Sequence, residues 1–435
     1  MQTSLTTTSG LERRLEITVP GTRLDEAVHA RLTALSRTAR LKGFRPGKVP
    51  LAVVRQQFGA QVQAEAMNEL VQSSFAEAVS KENLRPAGGP RIEPLQFEPG
   101  SDLRYAAIFE VMPEVRVAPL SGIAIERPVC QISDADVDAM VESLRRQRPV
   151  FTPVERAARE TDRVTIEYEG RIDGEVFPGG KGDALRVVIG AGQILAELDQ
   201  ALRGMAAGES KSVEARFPED YGAKNVAGKL AVFQLAVKSV EEQSLPPLDE
   251  AFVRQFGMHE GGVAEWRAEV RKSMEREVGE AIRLRVRNQL FDALYTQNPL
   301  ELPKALVDEA VAELQAQMLR RAGVQDPSSL PQMPREPYEE PARKRVALGL
   351  LIGEIIREQQ LKVDRARVEE RLNAVAGAYP DPDTVRRQYL QSREAMAQLE
   401  SAALEDQAID WMLSQVKISD KPADFRELTG FTDKP

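Results

Sequence analysis

Gly43-Phe44-Arg45-Pro46-Gly47-Lys48-Val49-Pro50 is a stretch that no helix can run through. It holds two glycines, which are entropically costly in a helix, and two prolines, which lack the N–H a helix needs. Such a segment is a tight, stiff loop that holds side chains outward, and Phe44 is a large apolar group placed where it can touch a partner. Cations surround it. Between Ala27 and Ala64 stand Arg31, Arg37, Arg40, Lys42, Arg45, Lys48 and Arg55, with no Asp or Glu. Seven uncompensated cations in a chain of net charge −9 form a basic patch, suited to phosphates or an acidic protein surface.

On the N-terminal side, Leu15, Ile17 and Val19 alternate with polar residues and predict a strand. After the turn at Pro20-Gly21 a helix begins at Thr22, with Asp25 as its capping-box partner and a buried stripe of Leu24, Val28, Leu32 and Leu35. That helix ends where the basic loop starts. Beyond the loop, Pro50 opens a short helix closed near Gly59, and Met67, Leu70, Val71, Phe75, Ala78 and Val79 mark a longer one. Turn residues Pro86 to Pro90 then lead into a strand through Leu103, Tyr105, Ala107, Phe109 and Val111. Strands outside and helices inside predict an α+β domain ending near Met112, with the loop as its tip.

Residues 113–149 are a connector, extended at Ile123 and Ile125 and then helical, capped at Ser133 with Val137, Met140, Val141 and Leu144 on one face. So short an amphipathic helix needs a partner from later in the chain. From Phe151 to about Val240 come short strands and glycine turns: Val164, Ile166 and Tyr168, the hairpin turn Asp173-Gly174, then Leu185, Val187 and Ile189, and finally Leu230, Val232 and Val237. Ile194, Leu195, Leu198 and Leu202 supply one short helix, so an antiparallel sheet on a single helix is expected.

Pro246-Pro247 ends that module, and the remainder reads as helical. Trp266, Val270, Met274, Val278, Ile282, Val286, Leu290 and Leu294 recur every fourth residue. Each step overshoots a turn by about 40°, so this stripe winds around its helix and offers contacts in several directions. A second helix carries Leu302, Leu306, Val307, Val311, Leu314 and Met318, a loop runs from Gly323 to Pro334, and further helices span 346–360, 368–378 and 396–416. Gly349 and Gly353 allow a close helix crossing, and the chain after Ile418 reads as a polar tail.

Composition limits the chemistry. With 42% hydrophobic and 29% charged residues over 435 positions, the chain is a globular protein of several domains. Met1 to Arg14 has no apolar core of the signal-peptide kind, and the longest apolar run, Val346 to Ile356, is short of the ~20 residues that span a bilayer. A cytoplasmic address without membrane contact is expected. One cysteine, Cys130, and two histidines, His29 and His259, leave no triad, Cys-His pair or zinc site to assemble, so neither metal nor cofactor is expected. A reaction that needs no such site fits this chain, and residues 151–240 resemble FKBP-type prolyl isomerases, which implies isomerisation of an Xaa-Pro bond. It is slow because rotation breaks amide resonance, and an apolar cleft that strips water from the amide can favour the twisted form without any ionisable group.

The loop resembles the Gly-Phe-Arg-x-Gly-x-x-Pro signature of the trigger factor family of ribosome-associated chaperones, with every fixed position kept. That resemblance implies that Gly43, Phe44, Arg45, Pro46, Gly47, Lys48 and Pro50 meet ribosomal RNA and protein near the tunnel exit. It implies an α+β multidomain chain: a ribosome-binding domain at 1–112, a connector at 113–149 packing with the C-terminal part, an isomerase domain at 150–245, and an elongated all-α domain at 246–435 that binds nascent unfolded polypeptides. A homodimer off the ribosome is implied too.

The 151–240 module is similar to FKBP-type prolyl isomerases, and the resemblance places Tyr168, Phe177, Leu185, Ile194, Leu195, Leu198, Tyr221 and Phe233 on the cleft. Leu185 stands where that family usually has Phe, and Ala196-Glu197 replaces a usual Pro-Gly. Six of the eleven methionines follow residue 246, and flexible Met side chains suit surfaces with many partners. Two other readings stay open on the residues alone. One is a dedicated isomerase with dimerising flanks; the other is an RNA-binding module with helical arms, although Phe44 is the one aromatic of the exposed basic loop, where single-strand readers interleave several.

Overall fold

The structure, a computed structural model, describes residues 1–38, 44, 49–97, 101–258, 260–324 and 333–432. The first part runs β1 (Gln2–Ser9), β2 (Glu12–Val19), α1 (Gly21–Thr38), α2 (Leu51–Lys81), β3 (Arg91–Gln96), β4 (Leu103–Glu110), β5 (Ala124–Val129) and α3 (Asp134–Arg146). Next come β6 (Val150–Val154), β7 (Arg163–Ile172), β8 (Glu175–Val188), α4 (Ala196–Leu202), β9 (Ser210–Arg216) and β10 (Leu230–Ser244). The last part is α5 (Glu250–Arg254), α6 (Val263–Gln297), α7 (Lys304–Arg321), α8 (Glu336–Glu358), α9 (Arg365–Gly377), α10 (Pro382–Gln391), α11 (Arg393–Gln415), β11 (Lys417–Pro422) and α12 (Phe425–Thr429). The chain is thus a multidomain α+β protein, and it divides into two compact units, residues 1–127 with 285–419 and residues 128–284 with 420–435.

In the first unit an antiparallel sheet of order β1-β2-β4-β3 is covered on one face by α2. Leu15 lies opposite Ala107 and Ile17 opposite Tyr105, so the alternation read from both strands puts one continuous apolar face inward. Ser74 of α2 hydrogen-bonds the Tyr105 hydroxyl at 2.7 Å, and that hydroxyl donates to the Val71 carbonyl at 3.0 Å. Burial pushes the Tyr105 phenol above its ordinary pKa.

Three details differ from the expectations. Gly59 does not end a helix: α2 continues through it for 31 residues, because one glycine costs only about 1 kcal/mol against packing on both sides. The N-terminal strand β1 was hidden by its polar Ser/Thr composition, since an edge strand with both faces exposed carries no apolar alternation. Helix α1 takes its end cap from across the fold, where the Gly21 N–H donates to Asp102 at 3.1 Å, and Asp25 makes no such contact.

The helices of this unit pack in pairs. Val307 and Val311 of α7 meet Ala342 of α8, and Val368 and Leu372 of α9 meet Leu399 and Ala403 of α11. Helix α8 begins at Glu336 rather than Val346, with Pro337 in its first turn, where the missing N–H is harmless. Gly349 and Gly353 face open space, so among the described residues no helix makes the close crossing that they would allow. Helix α10 was missed because it buries no residue.

In the second unit a five-stranded antiparallel sheet of order β6-β10-β7-β8, with β9 on β10, wraps α4. The Asp173-Gly174 turn takes positive φ at both positions, +52° and +89°, as a two-residue hairpin requires. The buried residues of its core all fall within 158–240, with Val154 packed against them. A separate core joins Val137 and Val141 of α3 to Phe252, Trp266, Met274, Val278 and Phe425. Ser133 and Asp136 form a reciprocal capping box at the start of α3, and Arg145 at its end donates to the Pro246 carbonyl at 2.7 and 2.9 Å. The segment read as a polar tail supplies β11, which pairs with β5, and α12, which buries Phe425.

Candidate active site and docking loop

One apolar cleft of about 330 Å³ opens in the β6–β10 sheet, and all eight residues singled out in the sequence line it: Tyr168, Phe177, Leu185, Ile194, Leu195, Leu198, Tyr221 and Phe233. Tyr168 and Phe233 come from the paired strands β7 and β10, Phe177 and Leu185 from β8, and Leu198 from α4. Ile194 and Leu195 are not on the helix, as their spacing suggested. They close the loop before it, and Leu195 is its N-cap, with φ −57° and ψ 140°. Asp199 ties this loop to α4, accepting from the Gly190 N–H at 2.8 Å and pairing with Arg203 at 3.0 Å.

The cleft has two kinds of wall. Phe177, Phe217 and Phe233 meet with ring centroids 5.7 to 6.2 Å apart, and Tyr221 stands 4.8 Å from Phe217. The same lining holds the aliphatic side chains of Leu185, Ile194, Leu195 and Leu198. Phe233 and Leu198 are buried, whereas Tyr221 is 44% and Leu185 38% exposed, so the former form the floor and the latter the rim. The Tyr168 hydroxyl donates to the Gly179 carbonyl at 3.3 Å.

Sequence reasoning missed Phe217, the ring at the centre of this cluster, although its place four residues before Tyr221 was a usable signal. It also missed Gly170. A Cβ there would lie 2.5 Å from Phe233 and 2.9 Å from Phe177, so only glycine lets these rings approach the strand. Of the two departures from the family pattern, Leu185 lines the cleft, while Ala196 and Glu197 do not.

Among the described residues, none that line the cleft is an Asp, Glu, Lys, Arg or His. What it offers is desolvation. A planar amide owes its dipole of ~3.5 D to resonance, and the twisted form has lost that charge separation, so removing water costs the planar form more. A barrier of ~18–20 kcal/mol can be lowered in this way by a site that grips the ring.

At the other candidate site, the end of the α1–α2 hairpin has its own small core of Leu32, Val49, Val54 and Val62. Phe44 is 40% exposed and Pro50 is exposed; Gly43, Arg45, Pro46, Gly47 and Lys48 lie outside the described residues. Arg31 pairs with Glu69 of α2, so one cation of the acid-free stretch meets an acid from the facing helix. His29 is exposed on α1, and His259 lies outside the described residues. Burial raises the pKa of the half-buried Cys130 thiol.

Comparison with known proteins agrees over the whole chain. The family model for bacterial trigger factor protein matches residues 1–144, that for the bacterial trigger factor C-terminus matches 262–414, and that for FKBP-type peptidyl-prolyl cis-trans isomerase matches 154–238. The chain is 46% identical over 429 residues to the trigger factor of Thioalkalivibrio sulfidiphilus (strain HL-EbGR7), covering 98% of each chain. It is 44% identical to that of Halorhodospira halophila (strain DSM 244 / SL1) and 43% to that of Stutzerimonas stutzeri (strain A1501), covering 100% of this chain and 99% of each relative. The chain therefore belongs to the trigger factor family, ribosome-associated chaperones that carry an FKBP-type peptidyl-prolyl cis-trans isomerase domain.

Proposed function

We propose that Tyr168, Phe177, Leu185, Ile194, Leu195, Leu198, Tyr221 and Phe233 are the residues with which this chaperone isomerises Xaa-Pro bonds, and that the segment Gly43 to Lys48, with Pro50, docks it on ribosomal RNA and protein beside the tunnel exit. The observation that carries the first part is the convergence of all eight side chains on one apolar cleft. Support for the second is the exposure of Phe44 beyond a hairpin whose end has its own core.

On this reading the chain has four parts, 1–112, 113–149, 150–245 and 246–435, and the connector belongs with the last of them through the contacts of α3. Nascent chains are held by the helical part, the protein works in the cytoplasm, and it dimerises when off the ribosome. No helix among the described residues is long and apolar enough to cross a membrane.

The cleft assignment is tested with Phe233→Leu and Tyr221→Ala in the full chain, assayed on a proline-containing peptide. Both should lower kcat/KM by about tenfold or more, in keeping with lost ring contacts worth over 1 kcal/mol. Phe233→Ala would add a core cavity costing about 3–5 kcal/mol, so the leucine variant separates catalysis from folding. Full activity in both variants would move the active site elsewhere.

A further inference from the structure

Among the described residues, three side-chain carboxamides each grip backbone with both of their polar ends. Gln289 accepts from the Glu126 N–H at 3.0 Å and donates to the Glu126 carbonyl at 2.7 Å. Gln407 accepts from the Asp364 N–H at 2.9 Å and donates to the Lys362 carbonyl at 3.1 Å. Asn298 accepts from the Ala118 N–H and donates to the Leu294 carbonyl, both at 2.7 Å. A carboxamide presents the donor and acceptor of a peptide group, so it pairs with backbone whatever the neighbouring side chains are.

Two further carboxamides line the isomerase cleft, Gln193 and Asn225. The Gln193 carbonyl is already engaged, accepting from the Val188 N–H at 3.0 Å. The Asn225 side chain has no hydrogen-bond partner among the described residues. Its place is nevertheless fixed. The adjoining Val226 is 3% exposed in the module's core, and the Val226 and Ala227 N–H groups donate to the Ala223 carbonyl at 3.1 and 3.2 Å. Asn225 therefore stands, exposed, on a tight turn at the rim, four residues after Tyr221.

A proline ring seated on the Phe233 and Leu198 floor leaves its flanking backbone at that rim. We infer that Asn225 is a substrate-docking residue, whose carboxamide takes a peptide group next to the Xaa-Pro bond by paired hydrogen bonds; this rests on the cleft being the isomerase site. The bonds go to a flanking group and not to the twisting amide, so they act equally in the ground and transition states. They lower KM and leave kcat unchanged. Recognition of backbone alone suits an isomerase whose substrates share no sequence beyond the proline.

The test uses the full chain and a short Xaa-Pro peptide. Asn225→Leu should raise KM about tenfold, as expected for two neutral hydrogen bonds, with kcat changed less than about twofold. On the same peptide N-methylated at its flanking amides, wild type should lose affinity and the gap between wild type and variant should shrink, a response that mere loosening of the turn would not give. Asn225→Ala carries the same expectations should the leucine variant fold poorly. Unchanged KM, or a fall in kcat at constant KM, overturns the docking role while leaving the cleft assignment standing. A rate on this peptide that survives both Phe233→Leu and Tyr221→Ala removes the cleft assignment, and the docking role with it.

Discussion

Gly170 contributes by lacking a side chain. It sits in β7 with the Phe233 and Phe177 rings against its Cα, and a methyl there would overlap both. Gly170→Ala must push the rings into the cleft or the strand out of register, so it should cost about 1–3 kcal/mol of stability and lower isomerase activity about tenfold, read by thermal unfolding and peptide assay together. Wild-type stability and activity in that variant would mean that the rings can yield. A second residue governs the acid limit of this module. Burial pushes the Asp162 carboxyl up, but the Arg156 guanidinium, at 2.5 and 3.0 Å, and the Arg159 N–H, at 2.8 Å, more than reverse this and hold its pKa below the ordinary value. The folded pKa lies under the unfolded one, about 4, so the stabilisation is complete above pH 4 and is lost as pH falls through the folded value. Melting temperature followed from pH 6 to 2 should drop in that window, and Asp162→Asn should lower it at pH 7 while flattening the drop. An acid limb of equal steepness in the variant would assign the loss to other carboxylates.

Elements were legible in the sequence where one face is buried, and were lost where burial is absent or comes from both sides. The β2 and β4 alternation, the Ser133 cap and the Asp173-Gly174 turn each follow from a local pattern, and each is present. Strand β1 and helix α10 bury almost nothing, so their polar residues carry no period. Helix α2 was cut in two at Gly59 because one end of it packs on α1 and the other on the sheet, which puts its apolar residues on two faces. In the cleft, the resemblance to FKBP-type isomerases pointed to the aromatic and aliphatic walls, whereas spacing alone left them as ordinary core and gave no sign of Gly170, whose role depends on a neighbour sixty-three positions away. The α1–α2 hairpin carries the prediction that belongs to this scale. Its end is held by Leu32, Val49, Val54 and Val62, so replacing Phe44, Arg45 and Pro46 with Ala leaves the hairpin core untouched. The triple variant should unfold at the wild-type temperature yet fail to co-sediment with ribosomes, and wild-type binding should weaken from 0.05 to 0.5 M salt as the Debye length shortens below about 10 Å. Persistent pelleting of the variant would place the contact outside the loop.

At the scale of the whole molecule, the two ends of the isomerase module lie on paired strands. Val150 and Ser244 are register partners at one end of the β6–β10 ladder, so the chain enters and leaves the module side by side. The module's core draws on residues 158–240, while the core that holds α3 draws on Val137, Val141, Phe252, Trp266 and Phe425, and the two share no buried residue. Excising 150–244 and bridging the gap with a short Gly/Ser linker should therefore leave the α3 core folded, at a loop-closure cost of only about 1–2 kcal/mol. Holding an unfolded chain needs apolar area, at about 25 cal/mol per Å², and a 330 Å³ cleft sized for one proline supplies little of it. The helical part offers more: Leu284, Met318 and Leu390 on helices, and Tyr379 between α9 and α10, are each 54–60% exposed. The excised chain should thus lose isomerase activity entirely and keep most of its suppression of aggregation, measured by light scattering of a chemically unfolded test protein diluted into buffer. If the excised chain folds, by circular dichroism and a cooperative melt, and no longer suppresses aggregation, client holding belongs to the isomerase module and the helical part serves only to carry it.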